Sequence, residues 1–62
     1  MKVREILKRL AKDGWFLARQ TGGHRQLHHP TKPGTVTVAG KRSEDIDVKT
    51  LKSILRQAQL QV

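Results

Sequence analysis

The chain has 62 residues and a formal net charge of +8, with 13 lysines and arginines against 5 acidic residues and no cysteine. This length predicts one domain, residues 1–62, with a thin core, and the lack of cysteine excludes disulfides and thiolate zinc sites. Apolar runs fall far short of the ~20 residues that span a bilayer, and early charge argues against a signal peptide, so a soluble, cytoplasmic protein is expected.

The excess of positive charge is the strongest feature of the composition. It indicates a polyanionic partner, most often a nucleic acid. A basic surface that only aids solubility is the simpler alternative. Binding to a membrane surface is less favoured, because neither predicted helix has an aromatic-rich apolar face.

The first predicted helix has apolar residues at the spacing i, i+3, i+4, i+7 and i+8, namely Val3, Ile6, Leu7, Leu10 and Ala11. Gly14 is expected to end it. Residues 15–19, 24–29 and 35–38 are predicted as three strands, joined by a turn that contains residues 21–23 (Thr-Gly-Gly) and by a loop over residues 30–34. A polar loop over residues 39–44 follows.

The last predicted helix begins at Asp47, which suits an N-cap, with Ile46 able to pack on Leu51 as a hydrophobic staple. Its apolar residues are Val48, Leu51, Ile54, Leu55 and Ala58. The predicted fold class is α+β, in the order α-β-β-β-α. A three-stranded antiparallel sheet should carry both helices on one face, which is the outline of a double-stranded-RNA-binding domain.

The second strand contains the candidate site. Alternation places Arg25 with the apolar Leu27 on one face and His24, Gln26 and His28 on the other. His24 follows Gly22 and Gly23, whose free amides can hold a phosphate. His24, facing solvent, is therefore a candidate catalytic group, and His28 a candidate RNA contact.

RNA suits a histidine that moves protons near neutral pH, because its own 2′-OH can attack the adjacent phosphate. No metal, cofactor or protein nucleophile is then needed. Basic residues can stabilise charge in the transition state. The candidates for this role, chosen by predicted position, are Arg19, Arg25, Lys41 and Arg42.

Metal sites are less favoured. His28 and His29 project to opposite faces of a strand, so a three-histidine zinc site with His24 would need distortion. The five carboxylates show no cluster for a two-metal nuclease. His28 and His29 are most simply surface residues, with His29 closing the strand before Pro30. The enzymatic options narrow to histidine-based RNA cleavage or no catalysis.

An ordered series of motifs resembles the HicA family of toxin mRNA interferases, from Val3 to Leu60. It consists of residues 14–15 (Gly-Trp), 19–22 (Arg-Gln-Thr-Gly), 24–26 (His-Arg-Gln), 29–30 (His-Pro), 33–38 (Pro-Gly-Thr-Val-Thr-Val) and 50–58 (Thr-Leu-Lys-Ser-Ile-Leu-Arg-Gln-Ala). The resemblance implies the same double-stranded-RNA-binding-like fold. It also implies mRNA cleavage, growth arrest and neutralisation by a HicB-type antitoxin, with His24 at the position of the family's catalytic histidine.

The sequence departs from the family pattern at several positions. Gly23 stands where serine is usual, Leu27 replaces a common phenylalanine, and Gln59 replaces the glycine after the last helix. Ala39 and Lys41 stand where proline and histidine are frequent. These changes bear on the fine mechanism more than on the function.

Two other functions stay open at this stage. The same fold and charge could hold duplex RNA without cutting it, or could bind an acidic protein as a structural partner. For the toxin, we expect an mRNA substrate, no cofactor, a monomeric free form and an acidic antitoxin that covers His24.

Overall fold

The computed structural model describes residues 1–61. Its elements are the helix α1 (Val3–Asp13), the strands β1 (Phe16–Thr21), β2 (His24–His28) and β3 (Val36–Ala39), and the helix α2 (Val48–Gln57). The strands form one antiparallel sheet in the order β1-β2-β3. The predicted α+β fold with its α-β-β-β-α order is confirmed.

The helices cover only part of one sheet face. Both pack mainly against β3, over a core to which the sheet contributes Leu27, Val36 and Val38. The helices and their ends contribute the remaining buried apolar residues: Val3, Ile6, Leu10, Trp15, Ile54, Leu55 and Ala58. All six residues of β1 are exposed. This edge strand therefore lies beside the core rather than over it.

Backbone groups at both ends of α1 have hydrogen-bond partners. At its start, the backbone N–H groups of Val3 and Arg4 donate to carbonyls of the β3–α2 loop at 2.9 and 3.1 Å. At its end, Gly14 has a φ of 109°, and the N–H of Trp15 donates to Leu10 at 3.0 Å. This is a Schellman motif, in which the residue after the glycine packs back on the helix.

Trp15 corrects the sequence prediction. It was expected to begin the first strand, but it lies before β1 and is only 3% exposed. Because the Schellman turn directs its side chain onto α1, the strand starts one residue later. β1 also runs on to Thr21, which shortens the following turn to Gly22 and Gly23.

The other boundaries shift by a residue. β2 ends at His28 rather than at residue 29, and β3 covers Val36–Ala39 rather than 35–38. The register of β1 against β2 shifts between Leu17 and Arg19, which marks a bulge at Ala18 that the sequence did not predict.

Asp47 is the N-cap of α2, as predicted, and its carboxylate accepts a hydrogen bond from the N–H of Thr50 at 2.8 Å. The other end of α2 is again a Schellman motif, with Leu60 N–H donating to Leu55 at 2.8 Å. The left-handed position is filled by Gln59, with a φ of 57°. A glutamine therefore adopts a conformation that favours glycine.

A group of polar contacts joins the ends of the two helices, and we call its members Asp13, His29, Lys32 and Ala58 the clasp. The ammonium of Lys32 donates to the Asp13 carboxylate at 2.6 Å and to the Ala58 carbonyl at 3.2 Å. The loop after β2 is thereby tied to the ends of both helices. No helix in residues 1–61 is long and apolar enough to cross a membrane.

Candidate active site

The turn before β2 places His24 at one end of the sheet. Gly22 has a φ of 57°, whereas Gly23 lies outside the left-handed region, the combination of a type II′ hairpin turn. The carbonyl of Gly23 accepts a hydrogen bond from Gly40 at 3.1 Å. The turn is therefore fixed to the end of β3.

His24 lies on the sheet face that the helices leave open. Its pairing partners are Thr21 in β1 and Ala39 in β3. His24, Gln26 and His28 are exposed while Leu27 is buried. The alternation predicted for this strand is thus confirmed, and the open face carries two histidines.

The His24 imidazole makes no hydrogen bond to any other part of residues 1–61. An exposed ring with neither nitrogen engaged can accept or donate a proton to a bound molecule. Within the same residues no three histidine, aspartate or glutamate side chains cluster as metal ligands.

His28 lies at the far end of the same strand, four residues or about 13 Å from His24. Its Nε2 lies 3.2 Å from the Thr35 hydroxyl. Its ring meets the Phe16 ring edge to face, with centroids 6.5 Å apart. His28 therefore has protein partners that His24 lacks.

Phe16 joins the candidate site, although sequence reasoning missed it. It pairs with His28 and is 52% exposed, so it presents an aromatic surface on the face that carries His24. An exposed aromatic ring on an open sheet can stack a base of single-stranded RNA. The available sequence signal was the position of Phe16 at the start of the first strand, two residues after Gly14, which ends the helix.

His29 proves to have a structural role, so the expectation that it merely closes the strand was wrong. Its Nε2 donates to the Asp13 carbonyl at 2.7 Å, since Nδ1 accepts the backbone N–H groups of Thr31 and Lys32 at 3.1 Å each. Its ring also packs edge to face on Trp15, with centroids 5.2 Å apart. It is a half-buried connector on the opposite side of the sheet from His24.

The basic candidates separate into two groups. Arg19 is exposed and pairs with Gln26 on the open face, and Lys41 is exposed in the loop that leaves β3. Arg25 lies on the helix side, where it donates to the Gly40 carbonyl at 2.8 Å. Arg42 lies beside α1 and lines a groove there.

Two carboxylates have lowered pKa values, and both are structural. The Lys32 ammonium is the main cause that lowers the pKa of Asp13, although partial burial opposes it. The indole N–H of Trp15 also lowers this pKa, but it has no hydrogen-bond partner in the described residues. We therefore take Lys32 to be the hydrogen-bond partner of the Asp13 carboxylate. The backbone N–H of Thr50 is the main cause that lowers the pKa of Asp47.

The fold and this site define a class: a small basic α+β domain that presents a free histidine on an open sheet face. A family model described as the HicA toxin of bacterial toxin–antitoxin systems matches residues 3–60. The chain belongs to the HicA toxin family and is the toxin of a toxin–antitoxin pair. No curated protein matches it.

Proposed function

We propose that this toxin is a metal-independent endoribonuclease that cleaves mRNA, with His24 as its general acid–base. The observation that supports this proposal is the position of His24: exposed, without a hydrogen-bond partner in residues 1–61, and beside the Gly22–Gly23 turn. A cut in mRNA would stop translation and growth.

The chemistry needs no group beyond an imidazole and bound RNA. His24 accepts the proton of a ribose 2′-OH, and that oxygen attacks the adjacent phosphorus. The bond from phosphorus to the 5′-oxygen breaks, and this oxygen takes a proton from water as it leaves, while the His24 imidazolium returns its proton to the solvent. The products are a 2′,3′-cyclic phosphate and a free 5′-OH. Proton transfer of this kind typically increases the reaction rate about 10²–10⁴-fold.

The groups around His24 suit a phosphate. The backbone amides of Gly22 and Gly23 can approach it closely because neither residue has a side chain. Arg19 and Lys41 add positive charge that stabilises the additional negative charge of the transition state. Arg25 acts on this site indirectly, since it holds the Gly40 carbonyl.

We assign the rest of the open face to the RNA strand. Phe16 and His28 lie about 13 Å from His24 along the sheet, the reach of two or three nucleotides. A base stacked there would fix the register of the strand over the catalytic histidine. His28 then contributes to binding and not to the proton transfer.

Neutralisation by a HicB-type antitoxin completes the proposal. A toxin with a net charge of +8 attracts an acidic partner over long range. An antitoxin that covers His24 blocks access of RNA to the imidazole. It also stabilises the thin-cored fold by linkage, because it binds only the folded toxin.

The test is cleavage of a single-stranded mRNA in excess EDTA by the parent and by His24→Ala, with His28→Ala as the matched control on the same strand. We expect the parent to cut, His24→Ala to lose at least about 100-fold in rate, and His28→Ala to retain cutting with weaker RNA binding. A 2′-deoxy nucleotide at the scissile position should block the reaction.

Other results would point elsewhere. Equal rates for the parent and His24→Ala would remove His24 from the mechanism, and cutting of the 2′-deoxy substrate would exclude attack by the 2′-OH. If the parent binds RNA in a salt-dependent manner but does not cut it, the chain is a non-catalytic double-stranded-RNA-binding module.

A further inference from the structure

Strand β1 has an uncovered face on the helix side of the sheet. A groove of about 360 Å³ runs between α1 and β1. We call it the β1 groove, and its principal lining residues are Leu7, Ala11, Leu17, Arg25, Leu27 and Arg42. Leu17 is 51% exposed, although its partner across the sheet, Leu27, is buried. The apolar floor of this groove has no covering element in residues 1–61.

The outer edge of β1 is also free. Among residues 1–61, the strand has no backbone hydrogen bonds outside the sheet. The opposite edge differs, because the side chain of Gln57 in α2 accepts the N–H of Thr37 at 3.3 Å. An edge strand with unpaired backbone groups beside an apolar groove is the arrangement that takes up an added strand.

We propose that the β1 groove is the docking surface for an extended, acidic and apolar segment of the antitoxin, which pairs with β1 as a fourth strand. An apolar side chain of that segment would fill the space over Leu17, and carboxylates beside it would reach Arg25 and Arg42. This inference rests on the proposed neutralisation and identifies the surface that performs it.

The charge of the molecule favours this occupant over a second copy. Two toxins joined through β1 would bring together two chains of net charge +8, with an Arg19 in each paired strand. Like charges across a strand pair are destabilising. An acidic segment meets the same arginines with the opposite sign.

RNA fits the groove less well than a protein segment. The floor is formed by the aliphatic side chains of Leu7, Ala11 and Leu17, and Trp15 beside them is only 3% exposed. Bases stack on exposed aromatic faces. Phe16 also lines the groove, but its ring lies against His28 of the open face. The aliphatic floor suits the side chains of a protein segment better than it suits bases.

The geometry connects this surface to His24. Side chains of an added strand alternate between the two sheet faces. Those on the helix side enter the β1 groove, while those on the other side lie on the open face next to Thr21, the cross-strand partner of His24. One docked strand therefore places antitoxin on both faces.

The test measures antitoxin binding and RNA cleavage separately. Leu17→Glu is compared with Val48→Glu, which makes the same change at an apolar residue that is 65% exposed and lies outside the groove. The probe is the antitoxin of the same pair, titrated by calorimetry. We expect Leu17→Glu to raise the Kd about 100-fold while its cleavage of RNA without antitoxin stays within about threefold of the parent.

Binding by Leu17→Glu at the parental Kd would overturn the proposal, as would equal weakening by Val48→Glu. A parent that dimerises while Leu17→Glu stays monomeric would assign the groove to a second copy. Loss of RNA cleavage in folded Leu17→Glu would assign it to RNA. If Leu17→Glu fails to fold by circular dichroism, Leu17→Gln replaces it, with Leu17→Met expected to bind like the parent.

This result is distinguishable from failure of the ribonuclease proposal. If the parent does not cut RNA but Leu17→Glu still loses the antitoxin, the docking surface stands without the enzymatic activity. If the parent cuts and every variant binds the antitoxin equally, the activity stands and the docking surface is wrong.

Discussion

The two glycines before His24 have different conformational requirements. Gly22 is in the left-handed region, with a φ of 57°, whereas Gly23 is not. A Cβ atom added at either glycine meets nothing within 4 Å. Space is therefore available at both positions, and only the backbone of Gly22 requires glycine.

This difference leads to a prediction for Gly23→Ser, which restores the residue usual in the family. We expect the free energy of unfolding to stay within about 0.5 kcal/mol of the parent, and the RNA cleavage rate to be equal or higher. Gly22→Ala should lose about 1–2 kcal/mol, because an L-residue there is strained. Urea unfolding and the cleavage assay in EDTA measure the two quantities. Equal destabilisation by both changes would show that the turn is not type II′.

Among the helices and strands, the end of α2 contains backbone strain that a glycine would relieve. Gln59 fills the left-handed position of its Schellman motif with a φ of 57°. The motif still forms, since Gln59 and Leu60 both donate to carbonyls of the last turn at 3.1 and 2.8 Å. Leu60 also packs against the core. Packing of Leu60 therefore offsets the strain at Gln59.

We predict that Gln59→Gly stabilises the fold by about 1 kcal/mol, since glycine adopts this conformation without steric conflict. Gln59→Ala is the matched control, because it removes the same side chain but keeps the strain, and it should not stabilise. Thermal unfolding monitored by circular dichroism gives both values. Stabilisation by Gln59→Ala alone would place the problem in the glutamine side chain instead of the backbone.

The elements also show what sequence patterns can predict. Apolar spacing predicted both helices and the buried Leu27, because a helix or strand face repeats at a fixed period. The same alternation put His24 on the open face. Trp15 was misassigned because the chain reverses at Gly14, and no periodicity reports a turn of that kind.

The roles of His29 and Arg25 could not be predicted for a different reason. His29 bonds to the carbonyl of Asp13, sixteen residues away, and Arg25 to that of Gly40, fifteen residues away. Any residue offers a carbonyl, so its identity carries no signal of such a partner. The exposed Phe16 and the uncovered Leu17 depend likewise on where α1 crosses the sheet.

At the scale of the whole molecule, the clasp and the N-cap of α2 make the free energy of unfolding depend on pH. The pKa of Asp13 is lowered from 3.8, first by the hydrogen bond from Lys32, and that of Asp47 first by the N–H of Thr50. Both carboxyls thus bind protons less readily in the folded chain than in the unfolded one. Their stabilisation is complete above the unfolded value and is lost as the pH falls through the lowered folded values.

We predict that Asp13→Asn lowers stability at neutral pH and reduces the loss of stability on acidification below about pH 4. Asp47→Asn should also reduce that acid loss, with little change at neutral pH, because asparagine is an equally good N-cap. Urea unfolding at a series of pH values measures both effects. An Asp13→Asn variant with the parental pH dependence would show that the ion pair with Lys32 does not contribute.

The start of α1 is held by residues of the loop between β3 and α2, and this affects the order in which the protein folds. The carbonyl of Met1 accepts the N–H of Ile46 at 2.8 Å, and Val3 N–H donates to Glu44 at 2.9 Å. The clasp adds a contact from Lys32 to Ala58. A ribosome delivers these partners after it has made α1, and domains fold as units during synthesis. A nascent helix α1 therefore lacks the hydrogen-bond partners of its own start until residues 42–46 have been synthesised.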